Sequence, residues 1–201
     1  MRAAPTASVA RSLVESQLQD GEELLWVGRS DLGRMFVHAD RYLIPFGALF
    51  TAFVAVALVG AALGSAHPAV LVLLAAFFLV GVHVLAGRFL VKRHRKRTDV
   101  YAVTDRRVIV ANSRSTRETD ARRTDWYVDR SAGHVTVEWD DTSHLDTLFW
   151  GGSQAVRQYA NTGLDLVPGR GDFALYDVAD GDALLATLRR TSGRLGGEGT
   201  Q

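Results

Sequence analysis

Between Arg41 and Arg88 the chain runs for 46 residues without an Asp, Glu, Lys or Arg. At about 1.5 Å per residue, one helix of that length would be roughly twice as long as a bilayer's hydrocarbon core is thick. The run is interrupted once, at Gly64-Ser65-Ala66-His67-Pro68, where Gly and Pro end helices. The pattern predicts two membrane-spanning helices, residues 42–64 and 69–91, joined by a tight turn. The uncharged part of the second ends at Gly87.

Past residue 97 the period changes from helical to two. Val100 to Val103 and Val108 to Ala111 are short β-prone runs separated by Thr104-Asp105-Arg106-Arg107, which predicts an antiparallel hairpin. A second hairpin is expected from Thr124 to Asp129, through Arg130 to Gly133, into His134 to Asp140. There Val135, Val137 and Trp139 alternate with polar residues, so one face is buried and one wet. Phe173 to Val178 reads as a further strand. Asp180 is placed to cap a helix that runs to about Arg190, with Leu184, Leu185 and Leu188 on its apolar face.

Upstream, Glu22 to Arg29 reads as a strand, preceded by a weakly amphipathic helix carrying Val9, Leu13 and Leu18. The β-domain is then discontinuous, with the span pair inserted after its first strand. The expected division is an N-terminal segment 1–20, a first strand and membrane approach 21–41, the spans, a cytoplasmic β-domain 92–190 and a disordered tail 191–201. Residues 141–171 carry Leu145, Leu148, Phe149 and Trp150 but no clear strand. A short helix near Ser153 to Asn161 and a membrane-facing or barrel-covering role for Trp150 are both open.

The absence of cysteine excludes disulfides and thiolate metal sites. The net charge of +1 conceals an uneven distribution: residues 1–91 are neutral, 92–130 carry +6 and 131–201 carry −5. The basic block adjoins the second span, which points to an anionic membrane surface rather than nucleic acid. Arg29, Arg34 and Arg41 precede the first span, and Arg88, Lys92, Arg93, Arg95, Lys96 and Arg97 follow the Gly87 end of the second. Positive flanks mark the cytoplasmic side, so both termini are expected there, with lipid headgroup contact assigned to those last six residues. Residues 1–23 are interrupted by Arg11, Glu15 and Asp20. The first span is therefore expected to act as an uncleaved anchor.

Candidate chemistry is sparse. His83 is the titratable group well inside a span, with no acidic neighbour in the charge-free run; a hydrogen bond to the first span or snorkelling accounts for it. Gly60 and Gly64 form a small-xxx-small pair in an Ala-rich helix, which need not be a dimer motif. Gly169-Arg170-Gly171-Asp172 lacks the spacing of a phosphate loop. His134, Asp140 and His144 do not have the spacing of a metal-ligand set. No catalytic residues, metal or cofactor are expected.

The order GEELLWVGRSD, DRYLIPF, the span pair, GRFLVKRHRKRTDVYAVTDRRVIV and a final F-x-L-x-D-V strand with a helix resembles the bacterial PH-like (pleckstrin-homology-like) membrane proteins. The closest local match is Tyr101 to Val110, which is similar to their Tyr-x-(Val/Leu)-Thr-(Asn/Asp)-Arg-Arg hairpin through Tyr101, Thr104, Arg106 and Arg107. The resemblance implies a small, partly open β-barrel closed at one end by the last helix, with no catalytic residues. Arg106 and Arg107 are expected to close the hairpin. The fold class expected is thus a two-helix transmembrane hairpin inserted in a mainly-β PH-like domain with a C-terminal helix. The function expected is a non-enzymatic inner-membrane protein whose partners are the bilayer and another membrane or cytoplasmic protein, including itself. The alternative is a membrane enzyme or transporter accessory subunit using His83 or residues 141–171.

Overall fold

The structure, a computed structural model, describes residues 7–131, 133–139, 161–164 and 173–193. It has two long apolar helices, antiparallel sheets and a C-terminal helix. The chain divides into two compact units, one comprising residues 1–34, 94–157 and 167–201, the other residues 35–93 and 158–166.

The first unit is built on strands β1 (Leu24–Gly28), β2 (Val100–Thr104), β3 (Arg107–Ala111) and β4 (Thr116–Asp120), paired in that order. A second sheet orders β5 (Trp126–Ser131), β6 (His134–Trp139) and β7 (Ala174–Val178). β1 pairs antiparallel with β2 although the apolar helices lie between them in sequence. The β2–β3 hairpin turns at Asp105 and Arg106, as its sequence predicts. Its runs lack alternation because both faces are buried. Tyr101, Val103, Val108 and Val110 enter one core with Val135, Val137, Trp139, Phe173, Leu175 and three leucines of the last helix. Val100, Ala102, Ile109 and Ala111 pack on the opposite face with Ala10 and Val14 of helix α1 (Ala7–Glu15). The buried side of α1 is therefore carried by Ala10 and Val14, and Val9, expected on its apolar face, is exposed.

Three elements depart from expectation. β4 was not foreseen: Thr-Arg-Glu-Thr-Asp has no apolar residue, and it is held by its pairing with β3 from Arg107↔Asp120 to Ala111↔Thr116. The second hairpin is shifted, its first strand beginning at Trp126 and running through Ser131. The last helix (Gly181–Gly193, here α5) extends past Arg190, so Thr191 is a buried helical residue rather than the start of a loose tail. Residues 194–201, Asp140, His144 and the apolar residues 145–150 lie outside the described residues.

In the second unit, α2 (Asp40–Leu63) turns back through Gly64 to His67 into α3 (Pro68–Val82). Pro68 occupies the first helical position, where no amide hydrogen is needed, and the His67 ring caps the Ala69 amide at 3.2 Å. A wide π turn, His83–Gly87, follows, and α4 (Arg88–Thr98) continues the helix. The helical stretch Pro68–Thr98 is 31 residues long, so the basic run lies on the helix itself. Both long helices are apolar enough to cross a membrane and mostly exposed, with Leu63 83% and Phe53 72% accessible. Close approach in the hairpin occurs at Gly81, where a Cβ would stand 2.5 Å from Thr51 Oγ1, and at Gly47 beside Leu85. A Cβ at Gly60 would meet nothing within 4 Å, so the Gly60/Gly64 pair makes no close contact in this hairpin at Gly60.

Candidate functional site: two buried charge clusters and the basic helix

The hairpin motif Tyr101, Thr104, Arg106, Arg107 forms a connected network. The Arg107 guanidinium donates from Nε and Nη2 to both oxygens of Glu22, each at 2.9 Å, and from Nη2 to the Gln17 carbonyl at 2.8 Å. It also pairs with Glu118 across the strands. The Thr104 hydroxyl donates to Glu22 at 2.7 Å and accepts the Arg107 amide at 2.9 Å. Bidentate pairing with Arg107, the largest cause, holds the Glu22 carboxyl down at about 2 although burial opposes the shift, and the same bonds hold Arg107 above its ordinary range. Tyr101 is buried; desolvation raises its hydroxyl, which accepts the Tyr176 amide at 3.4 Å. Arg106 stays half-exposed against Asp105. Arg107 thus closes the hairpin, through Glu22, a partner 85 positions away that sequence pattern did not reveal.

The second cluster centres on Asp177. β7 carries one residue more than β6 opposite it: Val135 pairs with Val178 but Val137 with Leu175. That bulge puts Asp177 in the left-handed region, φ 52°, which Asp tolerates better than most residues. Strict alternation would place Asp177 on the core face with Phe173 and Leu175. The bulge gives that place to Val178 and aims the carboxylate elsewhere. Asp177 Oδ2 receives Lys96 Nζ at 2.7 Å, and Oδ1 pairs with Arg34 Nε at 3.2 Å. Lys96 also donates to the Asp31 carbonyl at 2.8 Å, and Asp31 Oδ2 meets His134 Nε2 at 2.8 Å. Burial lowers the Lys96 ammonium, and Asp177 opposes that shift. The Gly33 amide, then His134, holds Asp31 below the usual carboxylate range.

These contacts correct the expectation that all six basic residues reach lipid headgroups. Arg88, Lys92 and Lys96 are buried, while Arg93 is exposed and Arg95 and Arg97 half-buried. The three buried residues recur at i, i+4 and i+8, one face of a helix. Arg88, with no exposed surface, forms an ion pair with Asp40 at the start of α2. His83 opens the π turn, and its Nε2 is buried without a hydrogen-bond partner among the described residues, so of the two expectations for it a bond from Nε2 to the first span is not formed.

A shallow cleft of about 260 Å³ lies between the β5–β6 turn and the start of α5, lined by Arg130, His134, Asp180 and Asp182 among others. Arg130 pairs with Asp182 at 3.0 Å. Among the described residues no group of three His, Asp or Glu side chains could hold a metal ion.

Searches against family models, curated proteins and solved structures find no match to this chain.

Proposed function

We propose that this chain is an integral protein of the bacterial inner membrane. Two spans hold a cytoplasmic PH-like domain that mediates protein contacts or self-assembly at the bilayer surface, without catalysis. The observation that carries the reading is the exposure of both long helices: away from the seam where they touch, their apolar side chains face outward, a surface far larger than water tolerates. The basic flanks support a cytoplasmic position for both termini. Sheets of four and three antiparallel strands around one core, with α5 contributing leucines to it, support the PH-like reading. Arg93, Arg95 and Arg97 remain as headgroup contacts.

A two-part experiment tests this. The chain should stay in the membrane pellet through an alkaline wash, and a reporter active only outside the cytoplasm, fused after Gln201, should be silent. Release from the pellet or an active reporter overturns the placement. Capture from detergent-solubilised membranes should then retain a specific protein or a second copy with the wild-type chain and lose it when the β-domain is unfolded. Identical capture by both forms overturns the contact role.

A second reading, a membrane enzyme or transporter accessory subunit, is favoured by the cleft that gathers Arg130, His134, Asp180 and Asp182. An activity in purified vesicles abolished by His134→Ala would establish it.

A further inference from the structure

Arg88 is completely buried, yet it stands inside the apolar band of the hairpin. Exposed apolar side chains extend along the second helix from Val70 to Leu90, about 30 Å by helix rise and about the thickness of a bilayer's hydrocarbon core. Leu90, two residues beyond Arg88, is 72% exposed. A guanidinium at that depth is costly unless protein surrounds it. Two helices touch along one seam only, so the hairpin needs a third piece of chain to complete the cover.

Residues 161–164 supply it. The Thr162 carbonyl accepts from Arg88 Nη1 at 3.3 Å, beside the bonds Arg88 makes to Asp40 and, at 2.6 Å, to the Val84 carbonyl. Thr162 is itself fully buried. Gly163 has φ 81°, and a Cβ there would collide with the Arg88 carbonyl, so the two backbones are in direct contact. The segment belongs to the same compact unit as the hairpin. Non-helical backbone at membrane depth is tolerated where its polar groups are satisfied within protein, and Arg88 satisfies the Thr162 carbonyl here.

We propose that residues 161–164 form a membrane-contacting turn, seated on Arg88 at the edge of the hydrocarbon core, with partly exposed Asn161 and Leu164 facing lipid. The proposal rests on the membrane reading above and adds a third contact with the bilayer besides the two spans.

The chain has no cysteine, so single spin labels can be placed cleanly. Leu164→Cys, Asn161→Cys, Leu73→Cys in the middle of α3 and Arg189→Cys at an exposed position of α5 would be labelled in the full chain, reconstituted in phospholipid vesicles. Collision with oxygen, which concentrates in lipid, is compared with collision with a water-soluble nickel chelate. Labels at 161 and 164 should show an oxygen-to-nickel ratio severalfold above that at 189 and closer to that at 73. Ratios at 161 and 164 equal to that at 189, with 73 still shielded from nickel, overturn the turn's placement alone. Nickel access at 73 overturns the membrane reading itself. Gly163→Val, which drives a side chain into the Arg88 carbonyl, and Arg88→Met, which removes the donor, should each raise nickel access at 164 while leaving 73 unchanged. No change at 164 in either variant overturns the seat on Arg88.

Discussion

Lys96 Nζ lies 2.7 Å from Asp177 Oδ2 across 81 positions of sequence, and both side chains are buried. Arg34 pairs with the other oxygen of the same carboxylate. Residue 34 precedes the apolar insertion and residue 96 follows it, so one carboxylate holds the chain as it leaves the β-domain and as it returns. Desolvating these charges is expensive and is offset only while every partner is present.

Removing two members should therefore cost less than the sum of the single losses. Asp177→Asn leaves Lys96 buried without its counter-charge and should destabilise the β-domain by about 3 kcal/mol. Lys96→Met leaves Asp177 still paired with Arg34 and should cost less. In the double variant the loss should fall clearly below the sum of the singles, because no lysine remains to be stranded. Thermal unfolding of the detergent-solubilised full chain measures this, and strictly additive losses would show that Lys96 and Asp177 are not coupled.

Glu22 gives a pH-dependent test. Its carboxyl is held at about 2 against an ordinary value of 4.5, chiefly by Arg107. A depressed carboxylate contributes stability that is complete above the unfolded value and is lost as pH falls toward the folded one. Glu22→Gln should lower the unfolding temperature at pH 7. The gap to wild type should stay constant down to about pH 4.5 and close as pH approaches 2. A gap that is unchanged at pH 2.5 would mean the pair with Arg107 is not what stabilises this hairpin.

Trp139 tests the shared core. It is 1% exposed, and its ring meets Phe173 edge-on at 5.3 Å between centroids. Trp139→Asp buries an unpaired carboxylate, which costs several kcal/mol, comparable with the whole stability of a small domain. Protease resistance of the β-domain should be lost while the protein remains in the membrane fraction. Retained resistance would place Trp139 outside the core.

How much of this was legible depended on whether the cause was local. The helix pair could be read because a charge-free run of 46 residues is a matter of composition. The β6 strand could be read because Val135, Val137 and Trp139 alternate with polar neighbours, and they are the buried residues. Strand β4 could not, since Thr116–Asp120 gains its place from hydrogen bonds to β3 and contributes nothing apolar. Asp177 was hidden by the bulge, because the pattern of Phe173, Leu175 and Asp177 reads as an unbroken alternation. In the basic run the charges alone do not separate inward from outward residues; the helical phase does, because Arg88, Lys92 and Lys96 fall four apart and share the buried face.

That phase changes what neutralising the run should do. Arg93, Arg95 and Arg97 keep exposed surface, whereas Lys92 and Lys96 are buried. A cytoplasmic leaflet attracts each basic residue near it by about 1 kcal/mol, within a screening length of roughly 10 Å. Changing Arg93, Arg95 and Arg97 to Gln should lower the unfolding temperature far less than Lys96→Gln does. The triple change should speed proteolysis between Arg97 and Tyr101 in vesicles rich in anionic lipid, with little effect in neutral ones. Lys96→Gln should do the opposite: it breaks the pair with Asp177, so it should lower the unfolding temperature and speed cleavage equally in both lipids. The two variants thus separate a contact with lipid from a contact within the protein. If the triple variant cleaves at the wild-type rate in anionic vesicles, the outward arginines serve to orient the spans during insertion and hold no lipid afterwards.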